Sequence, residues 1–583
     1  MQKLLFAFQH YALLGTILLA AWGAGHLVLG RVRGAAPLGP GLTTPFAIVI
    51  GLGGAICGLQ ALAILGWLTK PAVGALWMLG LLAACLQLVQ RWRRAAMSPP
   101  ILPAPEFGDR IALACLMLAG ISLLPRPLSP PQEWDELMYH LPHAQQWADT
   151  GRLQVNAWLR YPWFPYNFDL LYAAALLFGN DILPHLLHAS AGWLTAALVY
   201  GLGACYASRM VGGLAAAIWL LLTKGEYSNA YIDMGVTMFV LAAAIAFAQW
   251  RRSGRDRTWL ATGAFLLGVA VGSKYQVLGL LPFFAIALLL CDRRASTVLL
   301  AIVSLALPCA YWYVRNAVAT GDPFNPIGGP IFGFTDWDAA DHHGQFADLR
   351  RNAGFPSWLL WPALLAPWLP GLRRSAAARE AMWLCGWMLL VWLVSSRYPR
   401  YLMPAYPLLA LLSVASVEQL LTGAPASQSK RWKIFARGTA WLLLAAVTAA
   451  AVTGFHKQSR GIAATPEARD SMLRAQVRGY DIWEHLRAHP IGRVYQLGVE
   501  DSLYYAPQPV WGEVFGPWRY RDVQRLPPQQ MHRKLSSQHF DALVIDTERV
   551  PGVVTQPGFG DWFELLRSAG SVQLYRLKAE AAP

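Results

Sequence analysis

Apolar runs of roughly 15 to 25 residues recur along most of the chain, each close to the ~20 residues a helix needs to cross hydrocarbon. They lie near 11–30, 43–66, 71–90, 111–125, 182–205, 211–224, 234–250, 258–273, 276–290, 296–314, 357–371, 380–396, 402–421 and 438–454. About fourteen transmembrane helices are therefore predicted. Two long polar stretches, 126–181 and 315–356, interrupt the series, and a tail follows 455. In the tail the apolar runs shorten to strand length at Arg493–Val499, Ala542–Ile545 and Ser571–Leu577. Helix-like stretches Glu467–Ala488, Pro527–Ser537 and Asp561–Ser568 surround them, so the tail reads as a small α/β layer of roughly 120 residues.

Composition agrees: 583 residues, 55% hydrophobic and only 14% charged, with 26 tryptophans, describe a polytopic membrane protein rather than a soluble globule. The net charge of +15 raises the question of a nucleic-acid partner. The basic residues, however, form short clusters between apolar segments, not one basic face, so no nucleic acid is expected. Arg91-Trp92-Arg93-Arg94, Arg251-Arg252 through Arg257, Arg293-Arg294, Arg373-Arg374 and Lys430-Arg431-Trp432-Lys433 fall on one side if the segments alternate. The positive-inside rule makes that side cytoplasmic and puts both long loops and the tail outside. The first apolar run has neither a strongly basic start nor a small-residue cleavage site, so it is expected to stay as an anchor. All seven cysteines lie in or at the edge of membrane segments, which supports neither a disulfide framework nor a thiolate zinc site.

The candidate chemistry starts after the fourth apolar run, in Pro130-Pro131-Gln132-Glu133-Trp134-Asp135-Glu136-Leu137-Met138-Tyr139-His140-Leu141-Pro142-His143. Adjacent carboxylates Asp135 and Glu136 at the mouth of a membrane bundle can deprotonate an acceptor or hold a developing cation. The plainer use of Asp135 is to N-cap a helix beginning near Glu136. Lys274, Arg397, Arg400 and Arg160 are all predicted at the outer face, against the positive-inside tendency, and could hold a phosphate. Lys274 is the sharpest: the run from Thr258 to Leu290 has basic clusters at both ends, so Gly272-Ser273-Lys274-Tyr275 falls at an outer hairpin turn. A lysine snorkelling to the interface is the alternative. Arg397 and Arg400 flank a turn before Tyr401, and an arginine offers phosphate two donors where lysine offers a point charge; ordinary helix-end charges are the alternative.

Asp233 opens a helix after an outer loop and suits either a sugar hydroxyl or a plain N-cap. Glu136, His140 and His143 could share one helical face and so suggest a metal, but Pro142 interrupts that helix, and no metal or other cofactor is expected. Trp134, Tyr139, Tyr161, Trp163 and Tyr401 could stack on a sugar, whereas most of the tryptophans belong to an interfacial belt.

Taken in order, Trp134-Asp135-Glu136, Tyr139-His140, Arg160-Tyr161-Pro162-Trp163-Phe164-Pro165, Tyr231-Ile232-Asp233, Gly272-Ser273-Lys274-Tyr275 and Arg397-Tyr398-Pro399-Arg400-Tyr401-Leu402-Met403-Pro404 resemble the GT-C glycosyltransferases. The branch is that of the protein O-mannosyltransferases and lipid A aminoarabinose transferases. The resemblance covers residues 111–421, an eleven-helix core if 438–454 is counted, and the three helices before 111 depart from it. It implies three units: additional transmembrane helices at 1–110, a GT-C catalytic core at 111–455 with outer loops 126–181 and 315–356, and a periplasmic soluble α/β domain at 456–583. It also implies a polyprenyl-phosphate-linked sugar donor in the lipid phase and transfer on the periplasmic side of a bacterial inner membrane, to a protein, lipid or glycan. By the same resemblance Asp135 is the base and Glu136 orients or supports it. Lys274, Arg397, Arg400 and Arg160 would then hold the donor phosphate, with Asp233, Tyr139, His140, His143 and Tyr401 on the sugar or acceptor. Direct displacement at the anomeric carbon implies inversion.

Two other classes compete: a transporter or lipid flippase without transferase chemistry, and a scaffold whose tail binds a partner. No inverted repeat is evident, and the polar residues gather at one face instead of the midplane, which favours the enzyme.

Overall fold

The computed structural model describes residues 1–30, 38–39, 41–94, 104–423 and 430–579. The side chains of Arg94 and of the Lys430–Lys433 cluster lie outside the described set. Ten described helices are long and apolar enough to cross a membrane, and three shorter apolar ones accompany them, so the chain is a multi-pass membrane protein.

Helix α1 (Gln2–Leu29) packs on α2 (Thr43–Leu65) and α3 (Lys70–Arg94). Small residues let them approach: a side chain on Gly25 or Gly51 would strike the backbone of the facing helix. α4 (Phe107–Leu123) follows, its start fixed by reciprocal bonds between Glu106 and Asp109. The first polar stretch then folds into α5 (Leu141–Thr150) and α6 (Asp169–Leu177). α7 (Leu183–Tyr206), α8 (Arg209–Leu222), α9 (Asp233–Arg252), α10 (Arg257–Val271), α11 (Leu281–Cys291) and α12 (Ala295–Thr320) continue the bundle. α2 touches α6, α7, α9 and α10, so the amino-terminal helices are part of one core.

The second polar stretch carries the single turn α13 (Gly329–Phe332) and α14 (Ala339–Arg351), the latter opened by a box between Asp338 and Asp341. The run expected to span at 357–371 instead makes an eleven-residue 3-10 helix, Trp358–Trp368. Pro362 and Pro367 lack the amide hydrogens an α-helix would need there. The short α15 (Pro370–Arg374) leads to α16 (Ala376–Ser395), α17 (Tyr406–Gly423) and α18 (Lys430–Arg460), which complete the bundle.

In the tail, the expected helix 467–488 divides at Gly479 into Pro466–Gln476 and Tyr480–Ala488. The stretch expected as a helix at Asp561–Ser568 is mostly strand. The five strands are β1 (Arg493–Leu497), β2 (Val510–Trp511), β3 (Phe540–Asp546), β4 (Phe563–Ala569) and β5 (Val572–Leu577), ordered β2-β1-β3-β5-β4. β1 pairs in parallel with β2 and β3, while β5 runs antiparallel to β3 and β4. β4 defeats the helical reading because its partner is local: a tight turn at Gly570 folds it onto β5, and that pairing overrides weak propensity. Strand alternation divides the domain core between two faces, Val494 with Trp483 and Leu574 on one, Tyr495 with Met531 and Phe563 on the other. Leu137 and Leu159 of the first polar stretch belong to the first of these clusters, so the tail and that loop share a core.

Candidate active site

The segment bearing Asp135 is fixed by its neighbour. Glu136 is fully buried, and its carboxylate accepts hydrogen bonds from the amides of Gln132 at 2.6 Å, Glu133 at 2.7 Å and Ala230 at 2.6 Å, and pairs with His185 Nε2 at 2.7 Å. It is therefore a staple between this loop and the start of α9, and it does not line the cavity described below. The Asp135 amide adds a 3.3 Å bond to the Tyr231 hydroxyl. Asp135 makes no N-cap bond. Residues 136–140 take the wide π-helical spacing and Pro142 opens α5 instead of interrupting a helix, a correction to the expected break.

Freed from capping, the Asp135 carboxylate accepts from Arg400 Nη2 at 2.8 Å. Arg400 Nε lies 3.7 Å from Asp233 Oδ2, close enough for attraction but too long for a hydrogen bond, so this buried donor has no acceptor. Asp233 in turn accepts from Lys274 Nζ at 2.6 Å, and that ammonium sits 4.7 Å from the centre of the Tyr401 ring. The result is one row of alternating charge, Asp135–Arg400–Asp233–Lys274. Burial by itself would raise the Asp135 carboxyl, but Arg400, His140 and Lys274 outweigh it and hold it below its usual value.

The lysine turn is positioned from behind by Asn167. Its backbone amide donates to Gly272 O at 2.8 Å, its side-chain amide donates to Pro308 O at 2.8 Å, and its Oδ1 accepts from Trp312 at 2.7 Å and from Gln60 of α2 at 3.0 Å. Gly272 is required by this closeness, since a Cβ there would overlap the Asn167 amide.

The whole row lines one cavity of about 1100 Å³. Tyr139, His140, Arg160, Tyr161 and Tyr401 line it too. His140 Nδ1 pairs with buried Asp169 at 2.6 Å, and Arg160 forms a 2.5 Å ion pair with Glu513 of the tail. His143 points elsewhere: it is fully buried, bonds Arg160 O at 2.9 Å and Asn156 at 3.1 Å, and burial pushes its imidazole down to about 3. Arg397 is exposed, stands in a left-handed turn with φ +56°, and does not line the cavity. Glu136, His140 and His143 thus engage different partners, and among the described residues no group of three His, Cys, Asp or Glu could hold a metal ion.

What the sequence did not suggest is the roof. Glu500, Phe515, Tyr520, Arg521 and Gln524 of the tail, with Gln345 of α14, also line the cavity. The tail is tied down by Tyr505 to Pro131 O at 2.7 Å, by Arg469 to Asp181 at 2.5 Å, and by Arg519 and Arg521 to Asp341 at 3.1 and 3.0 Å. No spacing in the tail announces this, because the partners are more than 150 residues away; an acidic capping box facing a basic loop was the one available hint.

Comparison with known proteins adds to the geometry. Residues 468–576 match the family described as SF2091/S2213. Over 137 residues the chain is 31% identical to uncharacterized protein SF2093/S2215 of Shigella flexneri, covering 23% of this chain and 69% of that protein. It is 30% identical over 261 residues to the undecaprenyl phosphate-alpha-4-amino-4-deoxy-L-arabinose arabinosyl transferase of Erwinia tasmaniensis, covering 40% of this chain and 45% of that relative. In structure, 82% of the chain aligns with all of ArnT from Cupriavidus metallidurans, crystallised bound to undecaprenyl phosphate, with a TM-score of 0.52 at 15% identity.

Proposed function

The chain is a GT-C superfamily glycosyltransferase of the family that includes SF2093/S2215, and we propose that it moves a sugar from a polyprenyl phosphate to an acceptor at the periplasmic face of a bacterial inner membrane. The carrying observation is the charge row on one cavity wall, with a guanidinium donor left unpaired beside a lysine. The undecaprenyl phosphate in the names of two related proteins supports the donor class.

In this reading the donor phosphate takes the free Nε of Arg400 and the remaining ammonium hydrogens of Lys274. The bond between the anomeric carbon and the phosphate oxygen breaks with its electron pair going to phosphate, while the acceptor oxygen attacks from the opposite side and inverts the centre. Asp135 takes the acceptor's proton. A carboxylate gripped by arginine is a poor base, but a phosphate competing for that guanidinium loosens the grip and raises its basicity as the donor arrives. Tyr139 and Tyr401 supply faces for the sugar ring.

Asp135→Asn keeps the shape and removes the base, so transfer should fall by about 10²–10⁴-fold while affinity for undecaprenyl phosphate is retained. Turnover like that of the native chain would remove the mechanism. Lys274→Ala should weaken donor binding more than acceptor binding; equal loss of both argues against a phosphate contact.

A further inference from the structure

The cavity roof holds a carboxylate that the transfer step does not use. Glu500 follows β1, is only 4% exposed, and lines the cavity. Its Oε2 has no hydrogen-bond partner, and the one side-chain bond to its Oε1 comes from the Tyr520 hydroxyl at 3.5 Å, the outer limit of a bond. Half-buried Asp135 and buried Asp233, which also line the cavity, are both ion-paired. Arg160 and Arg549 act on Glu500 through their charge, yet Arg160 Nε and Nη2 both go to Glu513, at 2.7 and 2.5 Å, and Arg549 is paired with Asp501 at 2.6 Å. A buried carboxylate without a partner is costly unless a ligand completes it.

The same cavity carries an aromatic wall, with the Arg160 guanidinium 5.8 Å from the centres of both the Tyr161 and Phe515 rings. Trp337 and Phe515 lie 5.0 Å apart, Tyr161 is 6.0 Å from Trp337, and Tyr161 stacks on Phe164 at 4.3 Å. A pyranose presents an apolar C–H face to such rings and hydroxyl donors at its edge to a carboxylate. A phosphate or carboxylate group placed against Glu500 would meet its negative charge, while Arg160 is held by Glu513, Arg521 is held by Asp341, and Arg351 stands at the exposed rim.

Resting on the transferase reading above, we propose that the tail builds a carbohydrate subsite in which Glu500 accepts hydrogen bonds from an acceptor sugar stacked on the Tyr161–Trp337–Phe515 wall. The acceptor is then a neutral sugar-bearing molecule, and its nucleophile is a hydroxyl. Burial pushes the Glu500 carboxyl upward, the direction that makes hydroxyl partners favourable to it.

The experiment uses the full chain in nanodiscs loaded with undecaprenyl phosphate. Saturation-transfer NMR then compares methyl pyranosides of several configurations with their 6-phosphates. At least one neutral pyranoside should bind, its phosphate should bind more weakly, and Glu500→Gln should reduce the neutral ligand's affinity about tenfold or more. Undecaprenyl phosphate affinity should be unchanged in Glu500→Gln and Glu500→Ala, which also reports that both variants are folded. The proposal is overturned if no neutral pyranoside binds, if a phosphate binds better than its neutral counterpart, or if Glu500→Ala leaves sugar binding intact. Failure of the native chain to bind undecaprenyl phosphate at all would instead overturn the donor assignment.

Discussion

Asp135 and His143 lie eight residues apart, and both are held below their ordinary values, by cationic neighbours in one case and by burial in the other, so acid weakens the fold through each. Asp135 is held below its ordinary value despite burial, because Arg400, His140 and Lys274 favour its charge. Its stabilising contribution is therefore present above the unfolded value, near ~3.9, and is lost as pH falls through the folded one. The acid limb of the pH–rate profile should accordingly lie low, and Arg400→Gln should move it to higher pH; an unmoved limb would mean that Arg400 does not set the carboxylate's charge. His143 is pushed by burial to about 3, so below ~6.5 the unfolded chain gains a proton that the folded chain refuses. Stability should then decline from pH ~6.5 toward 3, and a His143→Gln variant should lack that part of the decline in thermal unfolding measured across pH. The sequence suggested Asp135, Asp233, Lys274 and Arg400, and the fold brings those four together, because a charge placed against membrane logic needs a partner. Glu136, Arg397 and His143 carried the same residue-type signal but serve backbone pinning, a turn and the loop core. Nothing in residue type separates those uses.

Helices of the bundle were largely readable because a 20-residue apolar run has few other uses. Trp358–Trp368 was misread because hydropathy does not register the loss of two amide hydrogens at prolines. The π-helical stretch at 136–140 and the polar hub at Asn167 were invisible for another reason: both depend on groups contributed from elements distant in sequence. That hub gives a sharp expectation. Gly272→Ala should press on Asn167 and the Cα of Cys309, displace the Lys274 turn, and cost about 1–3 kcal/mol in stability. Undecaprenyl phosphate affinity should fall with it, nearly as far as in Lys274→Ala; unchanged affinity would show that the turn tolerates the shift.

The bundle supplies the floor of the cavity and the tail supplies its roof, so the cavity exists only where the two meet. Among the described residues Arg160–Glu513 is the most enclosed ion pair between them, with side chains 11% and 6% exposed. Removing one partner leaves a buried charge unpaired, which costs about 3–5 kcal/mol, whereas removing both costs less than the two losses combined. Thermal unfolding of Arg160→Met, Glu513→Leu and the double variant should therefore be strongly non-additive. Additive losses would mean that the pair is not coupled and that the roof is held by its other contacts. The tail's α/β character was readable from strand-length apolar runs, but its place over the cavity was not, since docking is encoded in single residues such as Tyr505 and Arg469.

A cryo-EM map of the chain in nanodiscs with undecaprenyl phosphate addresses the donor site directly. The phosphate should lie against Arg400 and Lys274 inside the cavity, with the Asp135 carboxylate released from the guanidinium and turned toward the space left for a sugar. A phosphate resting outside the cavity, or an Asp135–Arg400 pair that stays closed around an empty site while lipid is bound elsewhere, would contradict the account.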